Sequence, residues 1–255
     1  MRFSNLRHWI GTALLSAAVA LGIPSATYAL QVKPIIFDMN TVGAGSRTTI
    51  TVINSAATPV PMELQVNRLD LGPNGEMIKT PGGGDDFMIF PPQTVIPPNS
   101  TQTFRIHWIG DPEIPESRSY NIEVNQLPVE APKVAEGETR MSIQLVYSFV
   151  TTVTVRPPQG TSSFQVQKAE FSRNDQGQSG VALTVENTGN LHNYLANAEV
   201  QLEAGSWSKR LTPQTVRVLA GPGLVLPRHM RRIFIPLEDV PGNTGALSAT
   251  VSFKN

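Results

Sequence analysis

The sequence predicts an all-β protein of two sandwich domains. Three observations carry this: short runs of alternating apolar and polar residues, turn-forming clusters between them, and a proline break after Val155 that divides the chain. The composition agrees, with 21 Pro, 20 Gly and no Cys in 255 residues. No segment longer than a turn or two has a convincing helical period after residue 29.

In chain order, residues 1–29 read as a secretory signal. Arg2 and Arg7 supply the positive start, Trp9 to Ile23 the apolar stretch, and Thr27-Tyr-Ala29 a small-residue cleavage site. The apolar stretch is shorter than the roughly 20 residues of a spanning helix and is broken by Pro24, so the expected product is exported and not inserted in a membrane. Removing Arg2 and Arg7 leaves 18 basic against 20 acidic side chains, a balance that gives no charge case for nucleic acid. Without cysteine, an exported chain must be held by its core alone, which its length permits.

Residues 30–156 form the first expected domain. Strands are predicted at 32–37, 48–53, 62–69, 87–90, 102–108, 118–126 and 140–155, separated by Gly43-Ala-Gly45, Pro73-Asn-Gly75 and Pro97-Pro-Asn-Ser100. Seven strands at this spacing suit an immunoglobulin-like sandwich, although the paired Cys of antibody domains is missing. Arg156-Pro-Pro-Gln-Gly160 ends the domain, because adjacent prolines donate no ladder hydrogen bonds. Residues 157–255 are expected to form a second, shorter-stranded sandwich, with strands at 164–171, 180–186, 195–202, 208–211, 215–219, 231–236 and 247–253.

The run Met141-Ser-Ile-Gln-Leu-Val-Tyr-Ser-Phe-Val-Thr-Thr-Val-Thr-Val155 is the least ordinary element. Its apolar side chains alternate over fifteen residues, whereas strands hold about 5–6. Met141, Ile143, Leu145, Tyr147 and Phe149 share one face, which Val153 and Val155 continue. Residues 128–139, with three acids and two prolines, read as a loop leading into it. The second half of the run suffices to pack the domain; the first half is predicted to serve a partner's core.

The search for chemistry excludes more than it finds. His107, His192 and His229 stand in no metal-ligand spacing, and the pairs Asp85-Asp86 and Glu136/Glu138 lie in loops without a pocket to shift their pKa values. Gly82-Gly-Gly84 lacks the following Lys and helix of a phosphate loop. Neither an enzyme nor a cofactor site is indicated. Arg228, Arg231 and Arg232 read as a solvated charge run, and Phe104, Trp108 and Tyr120 as packing side chains. The rival reading to a strand-lending protein is an exported two-domain adhesin or carbohydrate-binding module with loops or aromatics as its site.

The residues Val32-x-Pro-Ile-Ile-Phe37, Thr51-Val-Ile-Asn54, Phe90-Pro-Pro92, Ile96-Pro-Pro-Asn99, Thr103-Phe-Arg-Ile106, Pro115-Glu-Ser-Arg118-Ser-Tyr120, Val124-Asn-Gln-Leu-Pro128 and Val155-Arg156-Pro157 resemble the periplasmic pilus-assembly chaperones of the chaperone-usher pathway, over essentially all of residues 30–255. The resemblance implies two immunoglobulin-like domains in an L or boomerang, a periplasmic location, and pilin subunits and an outer-membrane usher as partners. It implies donor-strand complementation, itself a known mode of strand addition, with Met141, Ile143, Leu145, Tyr147 and Phe149 entering the subunit groove. It leaves open self-association of the free form.

Well-studied members of that family anchor the subunit's C-terminal carboxylate on an Arg in the first strand and a Lys late in the long strand. Here Pro34 and Thr152 stand at those positions, a departure that resembles the archaic or spore-coat-like branches. Lys33, Arg118 and Arg156 are the substitute anchors to be tested. Pro61, expected in the loop after the second strand, matches a proline that relatives use against the usher.

Overall fold

A computed structural model describes residues 30–128, 145–241 and 246–253. The first half contains β1 (Leu30–Lys33), β2 (Ile36–Asn40), β3 (Arg47–Asn54), β4 (Val60–Leu71), β5 (Met77–Pro81), β6 (Phe87–Phe90), β7 (Gln93–Ile96), β8 (Ser100–Trp108), β9 (Arg118–Gln126) and β10 (Ser148–Arg156). These build two sheets, one in the order β1-β3-β8-β6 and the other β2-β10-β9-β4-β5, with β7 also on β4. The second half contains β11 (Phe164–Arg173), β12 (Ser179–Asn187), β13 (Asn193–Tyr194), β14 (Ala198–Ala204), β15 (Trp207–Leu211), α1 (Pro213–Ala220), β16 (Leu224–Val225), β17 (Met230–Pro236) and β18 (Ser248–Phe253). Its sheets run β11-β12-β17, β13-β16 and β15-β14-β18.

Each half has its own core. Alternate side chains of the first pair of sheets meet around Ile50, Phe104, Ile106, Tyr120, Ile122, Val153 and Val155. Those of the second half meet around Val181, Leu183, Val200, Leu202, Val216 and Ile235. Together with the mostly β content this is the expected pair of immunoglobulin-like sandwiches. Phe87, Trp108 and Tyr120 pack edge to face at one end of the first core, with Phe87 centred 4.9 Å from Tyr120 and 5.2 Å from Trp108. Phe104, Trp108 and Tyr120 are all buried, so they form no open platform for a sugar.

Several predicted elements are corrected. The single strand at 32–37 is two, because Pro34 interrupts the ladder and the chain changes sheets: β1 pairs with β3, while β2 runs parallel to β10. The strand expected at 215–219 is the helix α1. Thr212 caps it by accepting a hydrogen bond from the Thr215 amide, Pro213 opens it and Gly221 closes it at a positive φ of 70°. The strand expected from residue 195 begins at Ala198, after a short 3-10 turn over Leu195–Asn197. Strands β5 and β7 were not predicted, and Pro61 lies inside β4 rather than in a loop.

The halves meet along the outer face of the second sheet. The Ser117 amide donates to the Asn190 carbonyl at 3.0 Å, and the Arg232 amide donates to the Pro73 carbonyl at 2.6 Å. Arg231, read from sequence as part of a solvated run, is half-buried here. Its guanidinium donates to the Leu224 carbonyl and lies against Gly75, where an added Cβ would sit 2.4 Å from Nη2. Burial lowers its pKa, opposed by the Glu76 carboxylate.

Candidate functional site: the free edge of β10

Strand β10 is paired along its whole length on one side only. Residues Ser148 to Val155 match Asn125 to Arg118 of β9, antiparallel. On the other side the ladder with β2 covers only Thr152 to Arg156, and its first rung is the Thr152 amide donating to the Ile35 carbonyl at 2.8 Å. Ser148 to Thr151 therefore have no strand on that side among the described residues.

Burial changes along the same strand. Thr151, Val153 and Val155 are buried in the first core, and Phe149 is packed partly against it. Tyr147 is 41% exposed and Leu145 is 68% exposed. The expected strand is thus shorter than read: regular pairing begins at Ser148, although the Gln126 amide still donates to the Tyr147 carbonyl at 2.8 Å. Burial of Val153 and Val155 needs only the last part of the run, so nothing in the domain's own core holds residues 145–147 in the ladder. Met141 and Ile143 lie outside the described residues. Ile35, Ile36 and Val150 are also exposed beside the gap left by β2, so apolar surface flanks the open backbone groups.

Two clefts lie where the halves meet. One, of about 340 Å³, is lined by Arg68, Arg118, Ser117, Tyr120 and His229 among others. The second, of about 290 Å³, lies beside β10 and includes Ile36, Leu69, Thr152, Tyr194, Leu224 and Arg231. The three anchor candidates are not brought together. Lys33 is on β1, in the other sheet, and exposed. Arg156 faces the Asp38 carboxylate at 3.8 Å. Arg118 lines the first cleft and has no ion pair among the described residues.

Asp38 is the centre of a group that the residue pattern did not reveal. His192, almost wholly buried, donates from Nε2 to Asp38 Oδ1 at 3.0 Å, and the Tyr194 hydroxyl donates to the same oxygen at 3.0 Å. Burial raises the Asp38 pKa, but the bonds from His192 and Tyr194 and the Arg156 charge outweigh it, and the net shift is downward. Tyr194 is pushed up by burial and by that carboxylate. These residues are 154 and 156 positions from Asp38, which is why spacing alone does not reveal the group.

Pro61 faces Val95 of β7 across the β4 ladder, and its carbonyl accepts from the Leu127 amide at 2.9 Å. Val95 is 59% exposed, so the pair presents apolar surface beside the end of β9.

Residues 35–160 match the sequence model of the pili and flagellar-assembly chaperones, PapD N-terminal domain. No curated protein matches the chain. Among solved structures the chain is similar to the class 5 fimbriae chaperone CfaA, at 11% identity and a TM-score of 0.51, covering 89% of this chain and 100% of that one. It is also similar to the E. coli chaperone DraB, at 20% identity, 87% and 96% coverage and a TM-score of 0.49. A third is the CsuC-CsuE chaperone-tip adhesion subunit pre-assembly complex of the archaic Csu pili of Acinetobacter baumannii, at 15% identity, 87% and 97% coverage and a TM-score of 0.47.

Proposed function

We propose that this chain, which belongs through residues 35–160 to the pili and flagellar-assembly chaperone family, is a periplasmic chaperone that lends the free edge of β10 to an incomplete pilin subunit. The observation that carries the reading is the unpaired edge from Ser148 to Thr151, continued by the exposed side chains of Tyr147 and Leu145. A subunit lacking one strand has open amides and carbonyls along a groove, and a free strand edge satisfies them independently of the subunit's sequence. Alternate apolar side chains then fill the groove.

The energetics suit a carrier. Ile143, Leu145, Tyr147 and Phe149, with Met141 before them, would contribute about 1.5–3 kcal/mol each on full burial, a gross gain that ordering and association costs reduce substantially. Such a complex lasts in transit and can be undone when another strand competes for the groove. Release at an outer-membrane usher follows in this reading, with Pro61 and its neighbour Val95 as the contact surface. Among the described residues no helix is long and apolar enough to cross a membrane.

The test is co-production of the chain with a small exported β protein that is insoluble alone. Recovery of a soluble one-to-one complex is the expected result. Strand pairing is then read from amide-exchange protection at Ser148 and Val150, whose amides share the side on which Thr152 donates to Ile35 and point away from β9. A complex in which those two amides exchange as they do in the free chain would place the subunit elsewhere.

A further inference from the structure

Of the three histidines after residue 29, two face an aspartate of the first half across the junction: His192 faces Asp38, and His229 faces Asp70. The two pairs differ in the protons they require. His192 turns Nε2 to Asp38 and has no partner at Nδ1, so a neutral ring with its proton on Nε2 satisfies the contact. His229 has an oxygen at each nitrogen. Its Nδ1 lies 2.7 Å from the Pro227 carbonyl oxygen and its Nε2 lies 3.3 Å from Asp70 Oδ1. Carbonyls and ionised carboxylates only accept hydrogen bonds, so Nδ1 carries a proton, and a neutral ring would turn the Nε2 lone pair on the Asp70 charge. The contact as built needs the imidazolium.

Both sides of that contact are held in place. The Leu71 amide donates to Asp70 Oδ1 at 2.7 Å, which fixes the carboxylate on β4. Residues 226–229 form a turn in which the His229 amide donates to the Leu226 carbonyl at 3.4 Å and Arg228 has a positive φ of 56°. The Asn187 amide ties the end of the turn by donating to the His229 carbonyl at 2.9 Å, and Leu226 is buried beneath it. The charged groups around the ring are Asp70 and Arg68 of β4, Arg118 of β9, Glu116 just before β9, and Arg228 of the turn itself. Arg68 pairs with Asp86 and Arg228 with Glu116, which leaves Asp70 as the acid that faces His229. Of the residue types present, only histidine ordinarily changes charge between about pH 5 and 8.

We propose that His229 and Asp70 form a proton-operated latch between the halves. Below the histidine range the ring carries both protons and holds the turn 226–229 against β4. As pH rises through that range the Nε2 proton leaves to solvent, to which the His229 side chain is 45% exposed, and attraction gives way to repulsion. The latch is closed in mild acid and released in mild alkali. Turn and strand both line the cleft of about 340 Å³ between the halves, so release widens that cleft. An exposed pair of this kind shifts a population a few-fold and does not switch it completely. Its members all lie within this chain, so the latch operates whether or not β10 lends its edge.

The chain has no cysteine, so spin labels can be placed solely at Ile78→Cys and Met230→Cys. Ile78 stands opposite Asp70 in the ladder of β4 and β5, Met230 follows His229, and both are exposed. Double electron-electron resonance on residues 30–255 should give one short distance at about pH 5.5 and a second, longer one at about pH 8, with the short-distance population falling about two- to fivefold. Asp70→Asn should abolish the response, because an amide faces either form of the ring by accepting or donating. His229→Gln should abolish it as well, since the ring that titrates is gone. Circular dichroism checks that each variant is folded. A labelled parent whose distances are the same at both pH values overturns the proposal, as does a pH response that survives in Asp70→Asn, which would assign it to another group.

Discussion

Tyr147 and Phe149 lie with their rings stacked, centroids 6.4 Å apart and planes within 18°. They stand two residues apart and so share a face, yet Phe149 reaches the core cluster and Tyr147 does not. The change from core residue to uncovered residue therefore falls between them. Polar substitution on the uncovered side separates folding from binding. Leu145→Asp and Tyr147→Asp are expected to abolish co-purification of a subunit while changing the stability of the free chain by no more than about 0.5 kcal/mol. Ser148→Thr, at the intervening position, is expected to leave co-purification intact. A subunit retained by both aspartate variants would refute the donor-edge assignment.

Asp38 joins the halves through His192 and Tyr194, with Arg156 of its own half beside it, and its carboxyl group has a lowered pKa in the folded chain. A depressed acid pKa stabilises the folded state above the unfolded-state value and loses that contribution as pH falls through the folded one. The contribution is thus complete near neutrality and fades below about pH 4. Asp38→Asn is expected to cost about 1–2 kcal/mol at pH 7, by weakening bonds to a buried His192. Urea unfolding at pH 7 and pH 3 should show the gap between variant and parent narrowing on acidification. A gap of constant size would mean that Asp38 does not carry this charge coupling.

The Tyr120 hydroxyl donates to Asp86 Oδ2 at 2.7 Å, and burial together with that carboxylate pushes its pKa upward. Tyr120→Phe keeps the edge-to-face contacts with Phe87 and Trp108 and removes only the bond. The expected loss is about 1.5 kcal/mol, the lower end for a hydrogen bond to a charged group, measured as a shift in the denaturation midpoint. Tyr120→Ala should cost far more, because it empties the centre of the cluster.

The strands of the first half were legible because Ile50, Val52, Phe104, Ile106, Ile122 and Val124 alternate with polar residues over whole strand lengths. The edges were not. Strand β5 is exposed at every position, and so has no buried side to produce a pattern. Helix α1 shows the opposite failure: eight residues are too few for a helical period to stand out from an alternating run, and its capping residues were the only clear signal. Thr212→Ala should destabilise the second half by about 1 kcal/mol, by removing the acceptor for the Thr215 amide. Thr212→Ser should not, and thermal unfolding of the two variants distinguishes the cap from simple loss of a side chain.

In the proposed complex, the cation expected to receive the subunit's C-terminal carboxylate is the one that is free. Arg156 faces Asp38, and displacing that carboxylate would also disturb its bonds to His192 and Tyr194. Lys33 is exposed on β1 of the sheet that does not contain β10, and a flexible exposed ammonium contributes little to a pair. Arg118 is half-buried in a cleft between the halves and has no acid pairing it among the described residues. A partly desolvated guanidinium with unused donors is the better carboxylate receptor. Arg118→Ala is therefore expected to weaken subunit binding about tenfold, the equivalent of about 1.4 kcal/mol. Lys33→Ala should change it less than twofold, and Arg156→Ala should lower stability as well as binding. Titration of each variant with a subunit ending in a free carboxylate, and with the same subunit amidated, tests the assignment: only for Arg118→Ala should the two subunits bind alike.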